Sequence, residues 1–381
     1  MPIYKVDGVK KDGLQKYNVR VNYISDRDGK PKQLTRAAYG SEAAKDLERQ
    51  LLSEIKEKGE NAFKRLTVGQ LFEAFIAVKT HEVRESTVEK HRDNYRIYIE
   101  PTMADVQIDK VTIAAAQEWK LFIEQKELAI KTKQNIYSTF RAMFNFALKM
   151  EYLLRNPLSV VGNFKTVFQN KPELEIYTAQ EFNQFIGIAK QQAQERQEIH
   201  RDMSEWEFYA FFNIAFYTGL RKGEIHALMW TDFDGEYLSI KRSITQKLGG
   251  EDRETPTKNK SSVRTIQLPR RLINVLNEHR ARQEKMGRFT ESYRICGGER
   301  CLRDSTIQNR HKHYAKLAKV KLIRIHDFRH SHASLLANEG INIQEIARRL
   351  GHARVEMTWN IYSHMYPREE EKAVDVLNKI A

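Results

Sequence analysis

Residues able to do chemistry gather in the C-terminal part of this chain. Arg221 follows the turn Thr218-Gly219-Leu220, and Lys258 sits in a basic stretch. His326 and Arg329 share the run His326-Asp327-Phe328-Arg329-His330. His352 follows Leu350-Gly351, and Tyr362 lies in Ile361-Tyr362-Ser363-His364. Cations around one phenol are what is needed to cut a phosphodiester without a metal. The reaction needs a nucleophile, stabilisation of charge on the non-bridging oxygens, and a proton for the leaving 5′ oxygen. Paired arginines suit a phosphorane-like transition state because each planar fork binds two oxygens at once. A free phenol has a pKa of about 10, and neighbouring cations favour its ionised form.

The local sequence says how each group could be held. Two glycines flank Arg221 and permit a tight turn, and the apolar run Phe211 to Phe216 reads as a buried helix beneath it. Glu224, three residues on, is placed to orient the Arg221 guanidinium. His326 and Arg329, three apart, share a face if their run is helical. His330 is expected to pack or hydrogen-bond within the domain. Gly351 is a candidate C-cap ahead of His352. Lys260 rivals Lys258, and Tyr366 rivals Tyr362. Other chemistries fit less well. There is no G-x-S-x-G nucleophile motif and no carboxylate cluster for a metal-dependent nuclease. Cys296, Cys301, His311 and His313 raise a zinc question, but their spacing is poor for a finger. No metal and no cofactor is expected.

Taken together, these boxes resemble the active-site series of the tyrosine recombinases, and more narrowly the phage and mobile-element integrases of the lambda type. Thr218 to Ile225 is similar to the first box. His326 to His330 is similar to the second, with Phe328 where leucine is commoner. Thr358 to His364 stands as the nucleophile box does. The resemblance implies catalytic roles for Arg221, Lys258, His326, Arg329, His352 and Tyr362. It makes Lys258 a hairpin lysine that protonates the leaving oxygen, and His352 a contact of the scissile phosphate. Tyr362 becomes the nucleophile that forms a 3′-phosphotyrosine link, whose bond energy allows rejoining without ATP.

The elements that must position these groups fall into three segments, so the fold class expected is a multidomain chain. Residues 1–60 read as a small α+β N-terminal domain. Tyr17 to Tyr23 alternates like a half-buried strand, and a charged helix covers about Ser41 to Lys58. Residues 65–160 read as all-α. Thr67-Val68-Gly69-Gln70 is a capping-box pattern, and Ser86 to Glu89 repeats it. Pro101 is expected to end the second helix. A third helix fits Ala114 to Gln125, a fourth starts near Lys131, and Asn156-Pro157 should stop it. A polar linker covers about 160–176. Residues 175–381 read as a mainly α catalytic domain with a small antiparallel β-sheet, opened by a capping box at Thr178-Ala179-Gln180-Glu181. Tyr237 to Thr245 and Val263 to Leu268 are its strand-like stretches. Glu369 to Ala381 reads as a terminal helix with Ala373, Val374, Leu377 and Ile380 on one face. The resemblance makes the first segment an arm-type DNA-binding domain and the second a core-binding domain.

The 381 residues carry a net charge of +14 and 41% hydrophobic residues, enough for real cores and suited to a polyanionic partner. Lys90, Arg92, Arg96, Lys131, Lys133 and Arg141 on the helical segment suit phosphate contacts as a group. No apolar stretch is long enough to span a bilayer, and two cysteines fit a reducing compartment, so a cytoplasmic, nucleoid-associated location is expected. The partners implied by the resemblance are double-stranded DNA attachment sites, further copies of the chain in a tetramer on DNA, and DNA-bending and directionality factors. Two other readings compete. A type IB topoisomerase uses the same chemistry. A non-catalytic helix-turn-helix regulator would explain Ile343 to His352 but neither Arg221 nor the His326–Arg329 box.

Overall fold

The computed structural model describes residues 3–24, 31–58, 66–165, 174–246, 252–256, 262–285, 287, 289–366, 374 and 377–378. The chain divides into two units, Met1–Asn170 and Lys171–Ala381. Lys258, its rival Lys260, Pro172 of the linker and nearly all of the expected terminal helix lie outside the described residues.

The first unit holds two separate cores. β1 (Ile3–Lys11), β2 (Leu14–Ile24) and β3 (Pro31–Tyr39) form an antiparallel sheet in that order. Strand alternation puts Val19 and Val21 of β2 and Ala38 of β3 on one face, where they meet Ala44 and Leu51 of α1 (Ser41–Lys58). The other parity carries Asn18, Arg20 and Asn22, and Gln33 donates to Asn22 Oδ1 at 2.9 Å across the β2–β3 pair.

The second core is helical. α2 (Val68–Glu82) starts at a true capping box. Thr67 Oγ1 accepts from the Gln70 N–H at 3.2 Å, and Gln70 Oε1 accepts from the Thr67 N–H at 3.0 Å. Its buried face, Val68, Leu71, Phe72, Phe75 and Ile76, packs with Trp119 of α5 (Ile113–Glu124) and with Tyr137, Phe140 and Phe144 of α6 (Ile130–Lys149). Burial of each such side chain contributes about 1.5–3 kcal/mol.

Three expectations fail here. α3 (Glu85–Asn94) begins one residue before Ser86, and its N-cap, Arg84, makes no side-chain cap bond. Pro101 does not end a helix. The chain widens into a π-helical turn over Tyr95–Ile99, the Glu100 N–H reaches back to Tyr95 O, and α4 (Glu100–Met103) runs through the proline. A proline lacks the N–H that would bond the carbonyl four residues back and collides with that carbonyl, and the wider turn relieves both. Asn156-Pro157 does not stop α6, which ends at Lys149, with Glu151 at φ 57° just beyond. Asn156 instead caps a new short helix, α7 (Pro157–Val161), by accepting from the Leu158 N–H at 2.9 Å. Phe164 still belongs to this core, so the helical segment reaches further than residue 160.

The second unit opens at α8 (Ala179–His200), again on a capping box: Thr178 Oγ1 accepts from the Glu181 N–H at 3.1 Å, and Glu181 Oε2 from the Thr178 N–H at 2.8 Å. α9 (Ser204–Thr218) is buried nearly all round, as befits the central helix of a core. It leads through Gly219 into α10 (Lys222–Ala227). The strand expected from Tyr237 to Thr245 breaks at Lys241. β4 (Tyr237–Ile240) pairs with β7 (Arg264–Gln267), whereas β5 (Arg242–Gln246) pairs with β6 (Asp252–Pro256). One expected sheet is therefore two two-stranded ones. α11 (Arg270–Lys285), α12 (Asp304–Ala318), α13 (Asp327–Asn338), α14 (Ile343–Leu350) and α15 (Glu356–Tyr362) complete the unit. α13, α14 and α15 share a small core of Ala333, Ala337, Ile346, Leu350 and Tyr362.

Candidate active site

Two turns with left-handed glycines aim the basic groups. Gly219 ends α9 at φ 64°, and a Cβ there would lie 2.7 Å from His332 Cδ2. The carbonyl of Gly219 accepts from Arg329 Nη1 at 2.9 Å. Gly351 ends α14 at φ 65°, where a Cβ would stand 2.7 Å from Arg264 Nη1. Only glycine meets the backbone and the space requirement together at either turn.

Arg221 is the first residue after the Gly219 turn to present its side chain to the site. Its Nη1 donates to Glu224 Oε1 at 2.8 Å, and Nη2 reaches the Gly351 carbonyl at 3.4 Å. Glu224 is buried and binds a second guanidinium: Arg264 Nη2 donates to Glu224 Oε2 at 2.9 Å. Arg264 also donates from Nε to the Arg349 carbonyl at 2.6 Å and from Nη1 to the Ser262 carbonyl at 3.0 Å. Burial would raise the Glu224 carboxyl, but Arg264 first and Arg221 second outweigh it and hold it below the usual carboxylate range.

Arg329 lies on the first turn of α13, only 3% exposed. Burial, then the charge of Arg221, pulls its guanidinium down to about 9, which still leaves it charged at neutral pH. Its Nη2 is buried and finds no acceptor among the described residues. Three guanidiniums thus stand around one carboxylate, Glu224. Positive charge held in excess at a largely buried place is costly, and an anion would offset that cost.

The histidines are held neutral at pH 7. His326 is the N-cap residue of α13 and is exposed. The packing beneath it, then His330, Arg329 and others nearby, take it down to about 4. His352 is half-buried after the Gly351 cap, and its Nδ1 lies 2.7 Å from Thr358 Oγ1. Burial, then Arg329, Arg221 and Arg264, take it to about 4 as well. Tyr362 ends α15 at 1% exposure, its hydroxyl 2.6 Å from His330 Nδ1. Burial raises the phenol well above its ordinary value, Arg329 opposes that, and Asp327 adds to it. The phenol is therefore protonated at rest.

The structure brings Arg221, His326, Arg329, His352 and Tyr362 into one electrostatic neighbourhood. It describes neither Lys258 nor Lys260. Tyr366 packs against the same small core as Tyr362, but its hydroxyl donates to the Ile341 carbonyl at 2.6 Å. Sequence reasoning missed Arg264. The signal was strand parity: Arg264 and Ile266 alternate inward on β7, and an arginine on the buried parity of a strand demands a buried partner. The expectation of a bond for His330 holds, but its partner, Tyr362, was not legible.

The cationic helical segment is less uniform than its sequence suggests. Arg92 pairs with Glu89 at 3.0 Å and Arg96 with Asp93 at 3.4 Å. Lys133 Nζ donates to the Glu124 carbonyl at 2.6 Å, ending α5. Lys90 and Lys131 are exposed, and Arg141 is half-buried. Of the zinc candidates, Cys296 and His311 are buried and His313 is exposed, and no group of potential metal ligands occurs among the described residues. No described helix is long and apolar enough to cross a membrane.

Comparison with known proteins identifies the family. Residues 175–369 match the phage integrase family, and residues 67–166 match the phage integrase SAM-like domain. The chain belongs to the phage integrase family. It is a tyrosine recombinase, an enzyme of site-specific DNA recombination, and the topoisomerase and regulator readings are not favoured. The ICEBs1 integrase of Bacillus subtilis is 26% identical over 383 residues, covering 98% of this chain and 99% of its own. In fold the chain resembles the Tn1549 transposon integrase in complex with transposon right-end DNA, with a TM-score of 0.63 and 20% identity over 83% of this chain and all of that one. It also resembles the lambda integrase in a tetramer bound to a Holliday junction, with a TM-score of 0.56 and 16% identity over 96% of this chain and 95% of that one.

Proposed function

We propose that this chain integrates and excises a mobile element by cutting and rejoining DNA at a fixed attachment sequence, with Tyr362 as nucleophile. The Tyr362 oxygen attacks the scissile phosphorus, the 5′ oxygen leaves, and a 3′-phosphotyrosine holds the cut strand until a second 5′ hydroxyl reverses the step. Arg221 and Arg329 bind the non-bridging oxygens, where charge grows in the transition state. His326 and His352, neutral at pH 7, each donate one N–H to the same oxygens. Lys258 supplies the proton for the 5′ oxygen. Glu224 and Arg264 touch no substrate and hold Arg221 and the Gly351 turn in place. The observation that carries this reading is the buried Nη2 of Arg329, which has no acceptor among the described residues and stands beside Arg221 in a site with surplus positive charge.

The domain roles belong to the same proposal. Residues 1–60 read accessory DNA sites through the sheet face bearing Arg20 and Asn22, and 65–160 grip the core site, with Lys90, Lys131 and Arg141 better suited to phosphate than the paired Arg92, Arg96 and Lys133. Recombination needs four strand exchanges, so we place four copies on the DNA, with DNA-bending and directionality factors as further partners and the nucleoid as the place of action. The test is a nicked suicide duplex carrying the attachment site, incubated with protein and resolved in SDS with EDTA present. A covalent adduct at one sequence, lost in Tyr362→Phe, supports the proposal. An adduct without site preference indicates a topoisomerase, and no adduct indicates a regulator.

A further inference from the structure

The phenol of Tyr362 is protonated at rest, so attack requires a group to take its proton. We propose that His330 is that group: its Nδ1, 2.6 Å from the Tyr362 hydroxyl, positions the nucleophile and accepts its proton during attack. The inference rests on Tyr362 being the nucleophile.

The geometry assigns His330 rather than His326. Both lie at the start of α13, one helical turn apart, and their rings meet edge to face at 5.3 Å between centroids. The phenol, however, bonds to His330. An acceptor Nδ1 fixes the tautomer, with the proton on Nε2. The surroundings of the ring, taken together, favour that neutral form. His326, Asp327 and Arg329 stand beside it on the same turn, Arg324 precedes them, Tyr362 faces it from α15, and His352 approaches from the turn after α14. His364, beyond α15, is exposed. Burial lowers the His330 pKa first, Arg329 and Arg324 lower it further, and Asp327 opposes them. The base is thus free at neutral pH and is lost only in acid.

The step balances. As the Tyr362 oxygen bonds to phosphorus, its O–H bond breaks and the proton passes to His330 Nδ1, giving the imidazolium. The P–O5′ bond breaks, and a separate acid protonates that oxygen. In the reverse step the 5′ hydroxyl loses its proton to that group's conjugate base, attacks phosphorus, and the departing phenolate recovers its proton from His330. The imidazolium also stabilises the departing phenolate, so the same residue serves both directions.

The test is single-turnover cleavage of the suicide duplex across pH by wild type, His330→Ala and His330→Gln. Glutamine can accept a hydrogen bond but cannot carry the proton. We expect both variants to bind DNA as wild type does, to cleave roughly 10²–10⁴-fold more slowly, and to lose the acid limb of the rate profile. Added imidazole should partly restore His330→Ala. A 5′-bridging phosphorothiolate, whose leaving group needs no proton, should not restore it, because the missing step is on the other side of the phosphorus. Cleavage by His330→Gln at the wild-type rate, or full restoration by the phosphorothiolate, would overturn the assignment. Melting curves identify a variant that does not fold, and the glutamine variant then decides. If Tyr362→Phe still forms the adduct, the nucleophile itself is misassigned. If Tyr362→Phe is dead and His330→Gln is normal, only this inference falls.

Discussion

The helical segment 66–165 and the second unit bury side chains of different kinds. Among the described residues of the former, the buried polar groups are the neutral Asn94, Thr139 and Asn156. Asn94 Nδ2 donates to Thr139 Oγ1 at 3.0 Å, tying α3 to α6, and Asn156 caps a helix. The second unit buries Glu205, Glu224, Asp232, Arg264, Asp327 and Arg329, with His226, His279, His311 and His332 beside them. Buried charge is expensive unless paired. Some of these charges simply pair: Glu205 with Arg310, Asp232 with Arg242. At the candidate site the pairing is left incomplete, with three guanidiniums to one carboxylate. One region is stabilised by apolar packing and caps. The other spends stability on holding like charges together, a cost that the proposed function assigns to binding a phosphate.

The largest effects should come from breaking the incomplete cluster. Tyr362→Phe should abolish covalent adduct formation while DNA binding persists, read by gel shift beside the SDS assay. Arg329→Ala should slow cleavage by roughly 10²–10³-fold or more, since it removes donors to the developing charge. Glu224→Ala should act on stability as well. It leaves Arg264 buried and Arg221 half-buried without their shared carboxylate, a loss of about 3–5 kcal/mol. Urea denaturation of the purified chain would show it. If Glu224→Ala were neutral in stability, the picture of like charges held together by one carboxylate would be wrong.

A pH experiment sharpens the same contrast. His311 is buried among Tyr177, Phe185, Phe212 and Phe328, and burial, opposed by Asp327, takes it from an ordinary 6.5 to about 4. The folded state favours the neutral ring. Its stabilising preference is therefore undiminished only above pH 6.5 and declines as pH falls toward 4, by about 3 kcal/mol in all. His311→Phe should flatten the fall in melting temperature between those limits. An equally steep fall in the variant would move the acid sensitivity to the other histidines that burial holds low, His326, His332 and His352.

What the sequence revealed follows the range of the forces involved. Caps at Thr67 and Thr178 and the helix Ser41–Lys58 depend on neighbours within a turn, and they were legible. Arg221, His326, Arg329, His352 and Tyr362 were singled out by their types and by the family resemblance of their boxes, and the structure places their charges near one another. Failures came where a distant partner decides. Arg264 needed Glu224, forty residues away in sequence, to explain its burial. His330 needed Tyr362, thirty-two residues on. Pro101 failed differently: the rule that proline ends a helix assumes α spacing, and a π turn removes the collision. Ser86 failed because a capping pattern fits more than one frame, and here Arg84 occupies the N-cap without a side-chain bond.

The smallest predicted effect belongs to the apolar region. Thr67→Ala removes the hydroxyl that accepts from the Gln70 N–H, while the reciprocal bond from the backbone N–H of residue 67 to Gln70 Oε1 stays in place. The cost should be about 1 kcal/mol, the usual worth of an N-cap. Thr67→Ser should keep the bond and lose almost nothing. Both are read from urea midpoints of the first unit, followed by fluorescence of Trp119 against a background in which the other tryptophans are replaced. A loss of several kcal/mol in Thr67→Ala would mean that this entry holds more than a helix start. Its neighbours make that conceivable, since the Val68 and Gly69 N–H groups bond to the carbonyls of Val106 and Ala104. Those bonds use backbone atoms alone and survive the substitution, so the small value is the one that follows from the geometry.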